Sequence, residues 1–143
     1  MKHIVDRAAD FVLAVERVFG VTPRLLDGSR AVQIGDVKLS LQAGERVSVE
    51  VRPHLADGQM LTTPGEFTFE VMRCLVDEVV LVTDEEILAA MAFLFDRLKL
   101  VTEPSGATAT AALLAGHVDP AGLVAALISG GNVGFRRFAE LVS

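Results

Sequence analysis

A short polar and glycine-rich segment, Ser129-Gly130-Gly131-Asn132, follows the apolar run of residues 123–128 and is the most informative candidate for chemistry. The run has the length of a parallel strand buried on both faces, and open α/β sheets bind ligands at the carboxyl ends of such strands. A hydroxyl, two glycines and an amide at that place would suit a ligand pocket. They also suit a plain turn, in which glycine provides positive φ and Asn132 caps the next helix. On physical grounds alone the turn is favoured, and both interpretations stay open.

A second candidate, Glu103-Pro104-Ser105-Gly106, places a carboxylate directly before a predicted helix. Proline fits the first turn of a helix, and acidic groups are stabilised near the helix N-terminus, so capping is sufficient to explain these residues. A ligand pocket is the alternative. Asp57-Gly58 is an ordinary turn dipeptide, and His54 beside Pro53 is more typical of a surface histidine than of a catalytic base.

Other catalytic and metal-binding patterns are missing from the sequence. His3, His54 and His117 are far apart, and Cys74 is the only cysteine, so we expect no catalytic transition metal. The chain has no Gly-x-Ser-x-Gly elbow, no phosphate loop and no Gly-x-Gly-x-x-Gly fingerprint. Hydrolase, kinase and nicotinamide-dependent activities therefore have no support.

The composition predicts one folded domain that does not bind nucleic acid. Of 143 residues, 51% are hydrophobic and 22% are charged, the opposite of the composition of disordered chains. The net charge is −6, and the basic residues are scattered rather than gathered on a face that could neutralise phosphates. Acidic and basic residues near the N-terminus interrupt any run long enough for a signal peptide or membrane span. We therefore expect a cytoplasmic protein with no membrane segment.

Hydrophobic periodicity predicts the elements that must position these residues. Apolar side chains three and four positions apart predict an amphipathic helix over residues 2–19, and Gly35-Asp36 lies between two strand-like runs as in a β-hairpin. Further strands are predicted over residues 47–51, 76–82 and 123–128. Helices are predicted over residues 66–75, 84–99, 104–116 and 135–142. The order of elements predicts an α/β fold with three layers, a mostly parallel sheet flanked by helices, preceded by the N-terminal helix and hairpin.

Six segments, taken in order and with their spacing, resemble the C-terminal third of threonine dehydratases and serine racemases, which are fold-type II pyridoxal-phosphate enzymes related to the tryptophan synthase β chain. They are Leu55-Ala56-Asp57-Gly58, Pro64-Gly65-Glu66-Phe67-Thr68-Phe69, Leu75-Val76-Asp77-Glu78-Val79-Val80, Thr83-Asp84-Glu85-Glu86-Ile87, Glu103-Pro104-Ser105-Gly106-Ala107 and Ser129-Gly130-Gly131-Asn132. The resemblance divides the chain into residues 41–143, which it covers, and residues 1–40, which lie outside it.

The resemblance implies a place for pyridoxal phosphate. Ser129 would hydrogen-bond the pyridine nitrogen, Gly130 and Asn132 would shape the same pocket, and Glu103 would bring a carboxylate beside the ring. In this family a neutral hydroxyl partner accompanies α,β-elimination of ammonia and water from serine or threonine. The loop at Asp57-Gly58 would lie near the substrate opening.

The sequence departs from the family in two features that catalysis requires. The family's Schiff-base lysine lies in a Ser/Asn/Lys motif and its phosphate loop has four consecutive glycines, whereas Lys2, Lys38 and Lys99 lack that context and the only adjacent glycines are Gly130-Gly131. We therefore assign no catalytic residue, expect the isolated chain to be inactive, and leave open whether it binds the cofactor at all. Three hypotheses follow: a truncated member that binds a small molecule or protein, half of a split enzyme, or a self-associating domain.

Overall fold

The computed structural model describes residues 40–51, 53–76, 79–118 and 123–143. Within them the chain forms a short 3-10 helix, Asp57–Gln59, and four α helices with both ends described: α1 is Glu66–Leu75, α2 is Asp84–Leu98, α3 is Pro104–Leu114 and α4 is Phe135–Val142. Residues 40–43 are also α-helical. The four α helices confirm those expected from hydrophobic periodicity between residues 66 and 142. The predicted helix over residues 2–19 and most of the hairpin around Gly35-Asp36 lie outside the described residues. Ser40 and Leu41, the end of the second strand-like run of that hairpin, are helical, so the prediction is wrong for these two residues.

Helix α2 begins at a capping box that the sequence encodes locally. The Thr83 side chain accepts a hydrogen bond from the Glu86 backbone N–H at 3.2 Å, and the Glu86 carboxylate accepts one from the Thr83 N–H at 2.6 Å. Two otherwise unpaired N–H groups are thereby satisfied. The helix ends at Leu98 and is followed by the C-cap residue Lys99, whose left-handed backbone has φ 58° and whose N–H donates to the Phe95 carbonyl at 3.0 Å.

The core lies between α2 and α3, and α4 covers one side of it. Helix α2 contributes the largest buried side chains, among them Ile87, Met91 and Leu94, while α3 contributes alanines such as Ala107 and Ala111. The small residues of α3 allow the two helices to approach each other closely. The larger side chains of α2 then fill the space between them.

Contacts at the ends of the helices hold this core together. Phe138 of α4 is buried, and its ring meets that of Phe95 edge-on with centroids 5.3 Å apart. Helix α3 ends at Leu114, and two residues later Gly116 has a φ of +74°. The next residue, His117, places its Nε2 2.9 Å from the Glu86 carboxylate. The end of α3 is therefore tied to the capping box at the start of α2.

The predicted sheet is not confirmed, because none of the described residues is in a β-strand. The prediction that residues 123–128 form a strand buried on both faces is wrong for this chain: Leu123 is 59% exposed and Leu127 is 74% exposed. An apolar run becomes a buried strand only where neighbouring strands pair with its backbone, and the described part of the chain offers no such ladder.

In that same part of the chain, no helix is long and apolar enough to cross a membrane.

Candidate functional site

Glycines bring the two candidate motifs into direct contact. The Glu103 N–H donates to the Gly130 carbonyl at 3.2 Å, which joins the start of α3 to the Ser129-Gly130-Gly131-Asn132 segment. A Cβ on Gly106 would lie 2.9 Å from the Gly130 nitrogen, and one on Gly131 would lie 2.7 Å from the Val101 carbonyl oxygen. Only residues without a side chain allow this approach, which explains the glycines by packing rather than by turn geometry.

The carboxylate of Glu103 lies against Gly130 instead of capping α3. Glu103 occupies the N-cap position, yet its side chain makes no capping hydrogen bond, and a Cβ on Gly130 would collide with its Oε1. The predicted place of Glu103 at the N-terminus of α3 is confirmed, but its side chain does not make a capping hydrogen bond there. The corresponding interpretation of Asn132 is wrong, since Gly134 is the N-cap of α4. Both polar side chains are left available for another contact.

Hydrogen bonds attach the Asp57-Gly58 loop to the first turns of α3. The Gly58 N–H donates to the Ser105 hydroxyl at 3.0 Å, and the Gln59 amide donates to the Ser105 carbonyl at 3.2 Å and to the Thr108 hydroxyl at 3.1 Å. A third motif is thus positioned beside the first two. The role of Gln59 could not be predicted from the sequence, because its partners lie almost 50 residues away.

A cleft of about 560 Å³ opens where the loop, the start of α3 and the start of α4 meet. Its polar lining consists of His54, Asp57, Glu103, Asn132 and Arg137. The cleft combines two carboxylates with a guanidinium, an imidazole and an amide, so it can contact both positive and negative groups of a small polar molecule. Sequence reasoning missed Arg137, which looks like an ordinary surface residue of α4.

His54 differs from the surface histidine expected from the sequence. Both of its ring nitrogens are buried, and neither has a hydrogen-bond partner in the described part of the chain. The buried hydroxyl of Thr102, next to Glu103, is in the same state. Buried polar groups are usually satisfied, so these atoms are exceptions to the rule. Thr102 is not among the residues that line the cleft.

The residues that the resemblance assigned to the cofactor do not all line the cleft. Glu103 and Asn132 do, whereas Ser129 is exposed and Gly130 contributes through its contact with Glu103. Their roles toward a cofactor stay predictions. Of the described residues, no group of three or more His, Cys, Asp or Glu side chains is placed to hold a metal ion.

Comparison with known proteins agrees with the motifs. A family model described as "Pyridoxal-phosphate dependent enzyme" matches residues 13–130, and so begins on the N-terminal side of the division predicted at residue 41. L-threonine dehydratase catabolic TdcB of Staphylococcus aureus (strain N315) is 47% identical over 92 residues, which are 62% of this chain and 27% of that protein.

Solved structures of serine racemases are also similar to this chain. Serine racemase from Dictyostelium discoideum is 39% identical, with a TM-score of 0.61 over 70% of this chain and 32% of that one. Maize serine racemase is 29% identical, with a TM-score of 0.72 over 91% of this chain and 42% of that one. The chain spans about a quarter of the length of the curated relatives it matches. From the extent of the family match, the chain belongs to the pyridoxal-phosphate-dependent enzymes.

Proposed function

We propose that this chain is the C-terminal segment of a threonine or serine dehydratase-like ammonia-lyase and forms one wall of its cofactor pocket. The observation that carries the proposal is the contact between Glu103 and Gly130, which joins the two motifs that the resemblance assigns to the cofactor. The similarity to a threonine dehydratase and to serine racemases supports the same class of reaction.

The described residues fit the ring of pyridoxal phosphate but do not supply an amine. Ser129 is exposed, and the Glu103 carboxylate lies against Gly130, the residue that follows Ser129 in the sequence. Lys99, the lysine within the described residues, lies at the end of α2, where its Nζ donates to the Asp96 carbonyl at 2.6 Å. It is not among the residues that line the cleft.

Each residue of this wall would have a separate task. The Ser129 hydroxyl would hydrogen-bond the pyridine nitrogen without enforcing its protonation, and Gly130 would leave the space that the Glu103 carboxylate needs. Asn132 would orient polar groups of the ligand through its amide. When bound, pyridoxal phosphate acts as the electron sink for elimination.

The isolated chain is proposed to lack dehydratase activity, because neither the lysine motif nor the run of four glycines is in its sequence. A lysine amine is needed to hold the cofactor covalently and to move the proton at Cα. An active assembly would therefore need a complementary enzyme half that provides both. In that arrangement Ser129 and Glu103 remain the contribution of this chain.

Ammonia release from L-serine and L-threonine tests this proposal on the purified chain with added pyridoxal phosphate. We expect release no faster than with free cofactor and no visible absorbance band of a lysine-bound cofactor. Measurable turnover that disappears in Ser129→Ala would refute the proposed inactivity and would show that the chain is itself the enzyme. Addition of a candidate complementary half is expected to restore turnover that depends on Ser129.

A second candidate function, self-association or binding of another protein without catalysis, is favoured by the exposed apolar residues Leu123, Val124 and Leu127. Apolar surface that is not covered within a chain commonly marks a protein interface. A two-fold homodimer is the simplest arrangement. We place the protein in the cytoplasm, where a single exposed thiol, Cys74, is compatible with a reducing environment.

A further inference from the structure

The loop of residues 55–61, which we call the cleft loop, forms one wall of the cleft. Leu55, Asp57 and Gly58 of this loop line the cleft together with Glu103 at the start of α3. The place of the loop relative to Glu103 therefore decides which groups of a ligand can contact both walls at once.

The backbone hydrogen bonds of the cleft loop all lie within the loop itself. The Gln59 N–H donates to the Ala56 carbonyl at 2.9 Å, and the Met60 N–H donates to the Asp57 carbonyl at 3.0 Å. Over the part of the chain that the structure describes, no backbone–backbone hydrogen bond joins the loop to α2 or α3. The place of the loop is therefore decided by contacts that involve side chains.

The first two residues of the cleft loop are anchored to the core. The Leu55 N–H donates to the Asp84 carboxylate at 3.1 Å, at the start of α2. Ala56 is fully buried and belongs to the hydrophobic core. A buried apolar side chain leaves a core only with loss of its hydrophobic stabilisation, so this end of the loop is fixed.

The other end of the cleft loop is held by Ser105 and Thr108 of α3. Gln59 Nε2 donates to the Ser105 carbonyl at 3.2 Å and to the Thr108 hydroxyl at 3.1 Å, and the Gly58 N–H donates to the Ser105 hydroxyl at 3.0 Å. Gly58 lies so close to α3 that an added Cβ would be 3.0 Å from the Ser105 hydroxyl oxygen. The loop is thereby tied to the same helix turn that follows Glu103.

We infer that Gln59 is a positioning residue of the cleft, which holds Gly58 against α3 and so fixes the loop relative to the Glu103 carboxylate. Gln59 is not among the residues that line the cleft, so it acts through the loop backbone. A primary amide suits this task, because its two N–H donors can bond a carbonyl and a hydroxyl together. This role rests on the proposed function, which makes the cleft part of a ligand pocket, whereas the contact itself lies within this chain.

Exchange of backbone amides with water, measured by NMR on the full 15N-labelled chain, tests the inference. The Gly58 amide of the unmodified chain should be protected, because its N–H is hydrogen-bonded to Ser105. Gln59→Met keeps the side-chain length but removes both donors, and exchange at Gly58 should become about tenfold faster. Exchange at Met91 and Leu94, in the buried face of α2, should change by less than about twofold, because the loop opens without unfolding the helices.

Gln42→Met is the matched control, since Gln42 is an exposed glutamine that does not line the cleft. Exchange at Gly58 in this control should stay within about twofold of that in the unmodified chain. Thr108→Val removes one of the two acceptors of Gln59 and should accelerate exchange at Gly58 about threefold. The same substitution should have little further effect in Gln59→Met, because the donor is already absent.

The inference is overturned if the Gly58 amide is unprotected in the unmodified chain, if Gln59→Met leaves its exchange unchanged, or if Met91 and Leu94 accelerate equally. Fully additive effects of Gln59→Met and Thr108→Val would also contradict it. Because these measurements need neither the cofactor nor a complementary half, their outcomes leave the proposed ammonia-lyase function unaffected.

Discussion

Replacing Gly106 with alanine tests the contact on which the candidate site depends. Gly106 lies in the first turn of α3, where alanine would ordinarily stabilise the helix by about 1 kcal/mol relative to glycine. Here the added methyl group would lie 2.9 Å from the backbone nitrogen and 3.1 Å from the carbonyl carbon of Gly130. Backbone atoms cannot rotate away as a side chain can, so either α3 or the segment around Gly130 must move.

The predicted magnitude is the difference between two opposing effects. Overpacking in a well-packed region costs about 1 to 3 kcal/mol, and a collision with backbone belongs at the upper end of that range. After the helix-propensity gain is subtracted, Gly106→Ala should lower the free energy of unfolding by about 1 to 2 kcal/mol. For a chain of this size the melting temperature should fall by roughly 3 to 8 °C.

Thermal unfolding followed by circular dichroism measures the effect. Gly134→Ala is the control, because its φ of −68° suits alanine and no atom lies within 4 Å of the added Cβ. The free energy of unfolding of this control should lie within about 1 kcal/mol of that of the unmodified chain. A melting temperature raised by Gly106→Ala would mean that helix propensity alone acts at this position. The contact with Gly130, and with it the geometry of the proposed pocket wall, would then be wrong.

Three further predictions concern stability and assembly. Thr83→Ala removes the capping box of α2 and should cost about 1 kcal/mol in thermal unfolding, whereas an unchanged transition would show that the cap does not contribute. Leu127→Ala should change the free energy of unfolding by no more than about 0.5 kcal/mol, because the side chain is 74% exposed. A loss of about 2 kcal/mol or more would instead mean that Leu127 makes a buried contact. Light scattering over a dilution series should give a mass above the 15.3 kDa monomer, and a monomer mass at every concentration rules out a stable dimer.

The helices were predictable from the sequence because their signals are local. The capping box needs only Thr83 and Glu86, three residues apart, and the apolar face of α2 needs only its own 3.6-residue period. Family membership was predictable for a similar reason, since six short motifs in order carry it whatever their arrangement in space. The α4 boundaries at Phe135 and Val142 agree with the sequence prediction to the residue.

Residues 123–128 show where local reasoning was insufficient. An apolar run of six residues has the composition of a buried strand, but its burial depends on other strands that pair with it. The exposure of Leu127 is therefore a property of its surroundings and not of the run itself. The same holds for Glu103 and Asn132, for which sequence reasoning favoured capping over a ligand contact and left both interpretations open.

The sequence by itself determined the helical elements, the family and the motifs from which a site could be built, because each depends on residues close together in the chain. Only the tertiary structure decided that Glu103 turns to Gly130, that Gly106 must be glycine, and that Arg137 shares a cleft with His54. These relationships join residues from 24 to 83 positions apart by sequence number. Such distant contacts depend on how whole helices and loops pack, and no short sequence pattern encodes that packing.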